Sequence, residues 1–311
     1  MKQFLIRLKK EKYLQIMALL GAAWMLVFNY APMYGIITAF KRNYRITDSI
    51  FSFKFLSSQW ASSYGFQHFI AFFRDMDFAN VMINTLGISL LKLVIGFPLP
   101  IVFALLLNEL KYQGFKRVVQ TISYLPHFLS WVILGGILTT WLSGTGFINE
   151  ILIKFGFIRE EIYFLAEPKY FWWIVLISDV WKELGWSAII YLAAISGIDP
   201  DLYEAAEIDG AGRFRKMWFI TLPCIAGTVA ILFILAVGGL LNSNFDQIFV
   251  LWNSLNQSRS TVLDIFVYNV GMKNMRFSYA AAIGLFKSVV AFILLFIANR
   301  VTRRLNDVSL F

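Results

Sequence analysis

Asp179, Lys182 and Glu183 fall within five residues of an otherwise apolar stretch, and Trp186 follows one helical step later. At helical spacing positions 179, 182, 183 and 186 share one stripe. Two carboxylates, an ammonium and an indole would therefore face the same way. Such a stripe can line a wet cavity, hold a proton or a sodium ion, or neutralise itself as an ion cluster that only joins helices, and the residues alone leave these open. A second group, Asn242, Asn244, Asp246, Gln247 and Trp252, follows the Gly238-Gly239 pair. Amides and carboxylates hydrogen-bond hydroxyl-rich solutes and aromatic faces stack on their C–H surfaces. Helix-helix hydrogen bonding and, for Trp252, the membrane interface are the competing uses. Hydrolytic chemistry needs a nucleophile with a base or a metal set. The two histidines, His68 beside aromatics and His127 after Pro126, offer no dyad.

The elements that hold these groups follow from composition. The chain of 311 residues is 59% hydrophobic, 17% aromatic and 15% charged, which marks an integral membrane protein. Its net charge of +9 comes with no run of five like charges and no zinc-ligand set. The basic residues sit beside apolar segments, which points to anionic lipid and away from nucleic acid. The single Cys224 excludes an intramolecular disulfide. Spanning a bilayer takes about 20 apolar residues, and six stretches qualify: 13–40, 81–107, 118–142, 172–195, 224–251 and 279–301. The expected fold is an all-α integral membrane protein with six transmembrane helices, one transmembrane domain over 13–311 behind a basic tail of residues 1–12. The first apolar run is too long for a signal-peptide core and lacks a clear cleavage site. In the fourth stretch three charges cost roughly 8–10 kcal/mol against about 3–6 kcal/mol returned by its Leu, Ile and Val residues. That helix should turn its charges away from lipid. Lys92 and Lys287, lone charges in the second and sixth stretches, are expected to pair with carboxylates or to snorkel. Pro98, Pro100 and Pro126 are expected to kink their spans.

Fourteen Lys and Arg residues lie in the short tails and the loops 108–117 and 197–222, against eleven in the longer loops 41–80, 143–171 and 252–278. The bias places both termini in the cytoplasm. Aromatics such as Trp60, Phe72, Phe73, Tyr163, Trp172 and Trp173 suit the outer interface.

Residues 199–223 then form a charged cytoplasmic loop. Asp199-Pro200 starts a helix with a cap and an N1 proline. Asp201 and Glu204 favour its N-terminal end, and Gly210 and Gly212 suit its termination. The result is a helix of roughly ten residues, about 15 Å long, whose small Ala205 and Ala206 give it a slim face for a partner's groove. A solvated connector is the plainer use of such a loop. The spacing narrows the choice: Glu204-Ala205-Ala206, Gly210 six residues after Glu204, Ile220 ten after that, then Leu222-Pro223. This pattern resembles the EAA motif of permease subunits of bacterial ATP-binding-cassette (ABC) importers, and Asp209 and Ala211 fit its "DGA" variant.

The resemblance implies a type I importer permease of the MetI-like fold, in which this loop is the coupling helix docked in a cleft of an ATPase subunit. Glu204, Ala205, Ala206 and Gly210 would make the docking surface. Glu207, Asp209, Ala211, Arg213 and Arg215 belong to the same loop, with Asp209, Arg213 and Arg215 supplying polar contacts. "SYLPHFLSWVILGGI" and "GGLLNSNFDQIFVLWN" are similar to the multiple-sugar permeases of the LplB type, cousins of the maltose and glycerol-phosphate permeases. The implied partners are a second, non-identical permease, two ATPase subunits, and a solute-binding lipoprotein that delivers an oligosaccharide. The chain has no G-x-x-x-x-G-K-[ST] loop, so ATP and Mg²⁺ would sit on the partner ATPase, with no cofactor on this chain. By the same resemblance, ATP binding would move the coupling helix as a rigid body and open the pathway outward, and hydrolysis would reset it. A non-sugar solute such as glycerol phosphate is an alternative cargo. An ion-coupled secondary transporter using Asp179 or Asp246 is an alternative class, but no internal repeat is visible and the loop motif would go unexplained.

Overall fold

The computed structural model describes residues 12–44 and 49–306; the basic tail, apart from Lys12, lies outside these residues. The main helices are α1 (Lys12–Phe40), α2 (Phe78–Asn108), α3 (Gln113–Phe128), α4 (Trp131–Trp141), α5 (Pro168–Ser196), α6 (Pro200–Ile208), α7 (Arg213–Cys224), α8 (Ala226–Gly238), α9 (Phe245–Leu251) and α10 (Phe277–Asn306). Short helices join them, and the described residues contain no strand beyond one isolated bridge between Lys41 and Trp60.

Among the described residues α1, α2 and α10 are long and apolar enough to cross a membrane. The pairs α3/α4, bent by 99°, and α7/α8, bent by 63°, raise the number to five if each crosses as one span. Helix α5, at 29 residues, is about 44 Å long, ample for a bilayer, but carries Asp179, Lys182 and Glu183 in its middle.

Proline accounts for much of the irregularity. A π turn, wider than α, lies just ahead of Pro32 (Leu26–Tyr30), Pro98 (Lys92–Gly96) and Pro223 (Met217–Thr221). Proline lacks an N–H and clashes with the carbonyl four residues back, and the π turn absorbs both faults without ending the helix. The expected kink at Pro98 and Pro100 thus takes the form of a π turn inside the continuous α2. Pro126 instead falls in a 3₁₀ turn, Leu125–Phe128, at the α3/α4 break. The stretch 224–251, apolar throughout in sequence, is also divided. Helix α8 stops at Gly238, and α9 begins after Asn244, whose φ of +56° is left-handed and whose side chain caps Gln247 N–H. Glycine is a poor helix former and asparagine tolerates the left-handed region, so the Gly-Gly and Asn positions mark the gap.

The chain divides into two compact units. One comprises the chain up to Asp75 with Val267–Phe286. In it α1 buries no side chain before Thr38 and Ala39. Phe40 meets Phe66 and Phe69 with ring centroids 5.7 and 5.6 Å away. Lys41 is buried, yet its ammonium donates to the carbonyls of Leu56 and Ser58 at 2.9 and 2.8 Å and lies 4.1 Å from the Trp60 ring. The other unit comprises Met76–Phe266 and the chain from Lys287. Among the described residues its core includes a cluster around Ile101, Ala104, Ala188, Tyr191 and Ile225 and another around Ile88, Phe171, Val175, Ile248 and Ile265. Helix α5 serves both. It also approaches α3 so closely that a Cβ on Gly185 would stand 2.3 Å from the Ser123 carbonyl oxygen. Only glycine permits that approach, and it brings the end of α3 against the charged middle of α5.

Candidate functional site

The charges of α5 find partners on other helices. The Lys92 ammonium of α2 donates to Asp179 Oδ1 and to Gln247 Oε1, both at 2.8 Å. Gln247, fully buried, donates from Nε2 to the Val175 carbonyl at 2.8 Å and to Ser178 Oγ at 2.9 Å. One lysine and one amide thus tie α2, α5 and α9 together. A turn further along α5, Glu183 Oε2 lies 2.7 Å from His127 Nδ1 and Glu183 Oε1 lies 3.2 Å from the Lys182 ammonium. Lys182 also donates to the His127 carbonyl at 2.6 Å. Trp186 stacks flat on the His127 imidazole, centroids 4.2 Å apart at 2°. The 99° break between α3 and α4 is therefore pinned at His127 by the ring, the carboxylate and the backbone carbonyl. Lys287 pairs with Asp264.

Of the second sequence group, Gln247 joins this network and Asn244 caps α9. Trp252 packs on the Ile88 cluster. Asn242 and Asp246 are exposed and, among the described residues, make no side-chain hydrogen bond or ion pair. Lys92 and His127 are the residues that sequence reasoning left outside the group. The signal for both was present in kind, a lone charge and a lone imidazole in apolar spans, each requiring a partner at depth.

The charged loop has a different construction. Asp199 caps α6 by accepting the Asp201 amide N–H at 3.1 Å. At the other end Gly210, φ +72°, permits paired bonds from Gly210 N to Glu207 O (3.0 Å) and from Ala211 N to Ala206 O (2.8 Å), the Schellman closure that left-handed glycine makes available. Helix α6 has nine residues. Two side-chain ties hold it to α7: Lys216 to Glu207 at 2.5 Å and Tyr203 to Thr221 at 2.9 Å. The hydrogen bond and charge of Lys216, with a contribution from Lys111, hold the Glu207 carboxyl below the usual range. Glu204, Asp209, Arg213 and Arg215 are exposed and, among the described residues, have no side-chain partner. Ile208 and Phe214, 87% and 73% exposed, add an apolar component that the charge pattern had hidden. An open cavity of about 540 Å³ lies beside the loop, lined by Glu207, Gly210, Ala211 and Arg213 together with Glu109 and Lys111.

Apolar helices, a satisfied charge network at depth, and a capped polar helix with unspent side chains define a membrane permease subunit. The chain belongs to the family of binding-protein-dependent transport system inner membrane components, which matches residues 96–307. Over all of its 311 residues it is 42% identical to the polygalacturonan/rhamnogalacturonan transport system permease protein YteP of Bacillus subtilis (strain 168), covering 94% of that protein. It is 40% identical to Protein LplB of the same organism, over 98% of this chain and 92% of LplB. A chain from the crystal structure of a bacterial alginate ABC transporter in complex with an alginate pentasaccharide-bound periplasmic protein superposes with a TM-score of 0.86 at 36% identity, over 98% of both chains. The chain is therefore an ABC transport permease.

Proposed function

We propose that this chain is one of two non-identical permease subunits of a type I importer that takes up an oligosaccharide or polysaccharide fragment delivered by an extracellular solute-binding lipoprotein. In this reading the chain crosses the membrane six times, α5 being the span whose charges face other helices, and both termini and the loop 199–223 lie in the cytoplasm. Two ATPase subunits carry ATP and Mg²⁺, one of them seated on Glu204–Gly212. The observation that carries this reading is α6, a capped helix whose Glu204 and Ala205 side chains and neighbouring Ile208 and Phe214 are left exposed. A relative named for polygalacturonan/rhamnogalacturonan transport and a solved alginate importer support the cargo class.

Within the membrane, residues with spent hydrogen bonds shape the pathway and those with free groups meet the sugar. Asp179, Lys182, Glu183, Asn244 and Gln247 are in the first set. Asn242, Asp246 and the exposed part of Trp186 are in the second, with Trp252 holding α9 in place. Asp179 already accepts from Lys92, so nothing favours an ion-coupled carrier.

The test is Glu204→Arg and Gly210→Pro in the assembled transporter. Both variants should insert and co-purify with the second permease but lose uptake and glycan-stimulated ATP hydrolysis. Normal uptake by both would overturn the docking role. A chain that purifies alone and moves sugar on an ion gradient would overturn the importer.

A further inference from the structure

The unit containing α1 holds a cavity of about 410 Å³ that none of the roles above uses. Its wall is drawn from the loop after α1, the short helix Gln67–Phe73 and the start of α10. That volume lies within the range of small-ligand sites. Among the described residues two arginines line it, Arg42 and Arg276, and no lining residue is acidic. Neither guanidinium has a carboxylate partner among the described residues. Arg42 donates to the neutral Gln59 Oε1 at 3.2 Å, and Arg276 lies 4.3 Å from the Tyr279 ring. That ring is fixed because its hydroxyl donates to Asp75 at 2.8 Å, and Asp75 is not in the wall.

The remaining wall groups are suited to a hydroxyl-rich anion. Gln67 Oε1 accepts the Ser62 amide N–H, leaving the Gln67 NH₂ to donate. His68 Nε2 donates to the Lys41 carbonyl at 2.9 Å, so its Nδ1 is left for a ligand hydroxyl. Ser278 accepts the Tyr44 amide N–H and keeps its own proton to give. Among the described residues the amide N–H groups of Phe277 and Ser278, in the first turn of α10, have no backbone acceptor; they add to the positive potential. Met275, at φ +54°, sets the approach of Arg276 to the rim.

We propose that this cavity receives the carboxylate of an acidic oligosaccharide on the outer face of the transporter, Arg42 and Arg276 clamping the uronate and the amide and hydroxyl groups of the wall reading the sugar ring. The proposal rests on the orientation and cargo class given above and narrows the cargo to uronate-containing chains. Guanidinium is the fitting group, because its planar fork matches a carboxylate in a way an ammonium does not.

The test uses the assembled transporter in phosphatidylcholine nanodiscs, without lipoprotein, and measures binding of trigalacturonate and trimannuronate against their carboxyl-reduced counterparts. The wild type should prefer the acidic trisaccharides. Arg42→Gln/Arg276→Gln should erase that preference, weakening acidic binding about tenfold or more, with melting temperature and basal ATP hydrolysis unchanged. Arg276→Lys should fall between. The proposal is overturned if the wild type binds neither acidic sugar, if the double variant binds them equally well, if reduced and acidic sugars weaken together, or if the variant loses only its affinity for sugar-free lipoprotein. Uptake by the complex with lipoprotein separates this from the broader reading. Saccharide import without trigalacturonate or trimannuronate binding sinks the cavity alone. Arginine-dependent binding without any saccharide import sinks the importer reading and leaves the cavity.

Discussion

The charges in the middle of α5 and those in the loop 199–223 are similar in kind and opposite in treatment. At depth Asp179, Lys182 and Glu183 all have partners, drawn from α2, from the α3/α4 break or from α5 itself. In the loop, among the described residues, Glu207 and Lys216 form an ion pair, while Glu204, Asp209, Arg213 and Arg215 stay exposed on α6, on the turn after it and at the start of α7. The difference is one of solvent. An uncompensated charge in a low-dielectric interior is strongly destabilising, so it must be answered within the fold. A charge in water costs little, so it can be kept for a partner. The first region is accordingly a structural junction, and the second keeps the free side chains that the proposed docking requires.

The largest effect should come from breaking a pair at depth. Lys92→Met removes the partner of Asp179 and should destabilise the protein by about 3–5 kcal/mol, seen as a lower melting temperature of the detergent-solubilised complex. Adding Asp179→Asn removes the stranded charge and should recover most of the loss. A single variant as stable as wild type, or a double variant no better than the single, would show that this pair is not the junction its geometry implies. In the loop the same neutralisation should act on function and spare the fold. Glu204→Gln should leave melting within about 0.5 kcal/mol of wild type while lowering substrate-stimulated ATP hydrolysis. A stability loss matching that of Lys92→Met would erase the contrast.

Legibility in the sequence followed the same line. The loop could be read because its information is local: the Asp199-Pro200 start, the Gly210 stop and the spacing to Pro223 all lie within one short segment. The long helices α1, α2 and α10 could be located by apolar length. The partners of Asp179 and Glu183 could not, because Lys92 and His127 lie 87 and 56 residues away, and no periodicity within α5 points to them. The gap between α8 and α9 was written in Gly238-Gly239 and Asn244 but masked by the apolar character of the whole stretch. The ties of α6 to α7 were missed for a smaller reason. Lys216 meets Glu207 nine positions away, across a turn whose direction depends on the left-handed Gly210.

That turn offers a finer probe of the loop. Gly210→Ala places a Cβ in open space but at φ +72°, so its cost is backbone strain alone, about 1 kcal/mol. The expected outcome is local, faster hydrogen exchange at the Ala211 amide, whose bond to Ala206 closes α6, with global melting little changed. Exchange at wild-type rates would mean that α6 is held chiefly by its side-chain ties.

The smallest effect concerns one of those ties. Lys216 holds the Glu207 carboxyl below its usual range by hydrogen bond and by charge. A carboxylate whose pKa is depressed on folding contributes above its unfolded value, about 4.3, and the contribution fades as pH falls through the lower folded value. The α6–α7 distance, measured between spin labels on Asp201 and Phe219, should therefore hold from neutral pH to below pH ~4.3 and broaden only under stronger acid. Glu207→Gln should show the broadened distribution already at neutral pH, and Tyr203→Phe, which removes the bond to Thr221, should broaden it further. If both variants keep the wild-type distribution, the helix is oriented by its backbone closure at Gly210, and the two ties add nothing to the rigidity of the proposed docking surface.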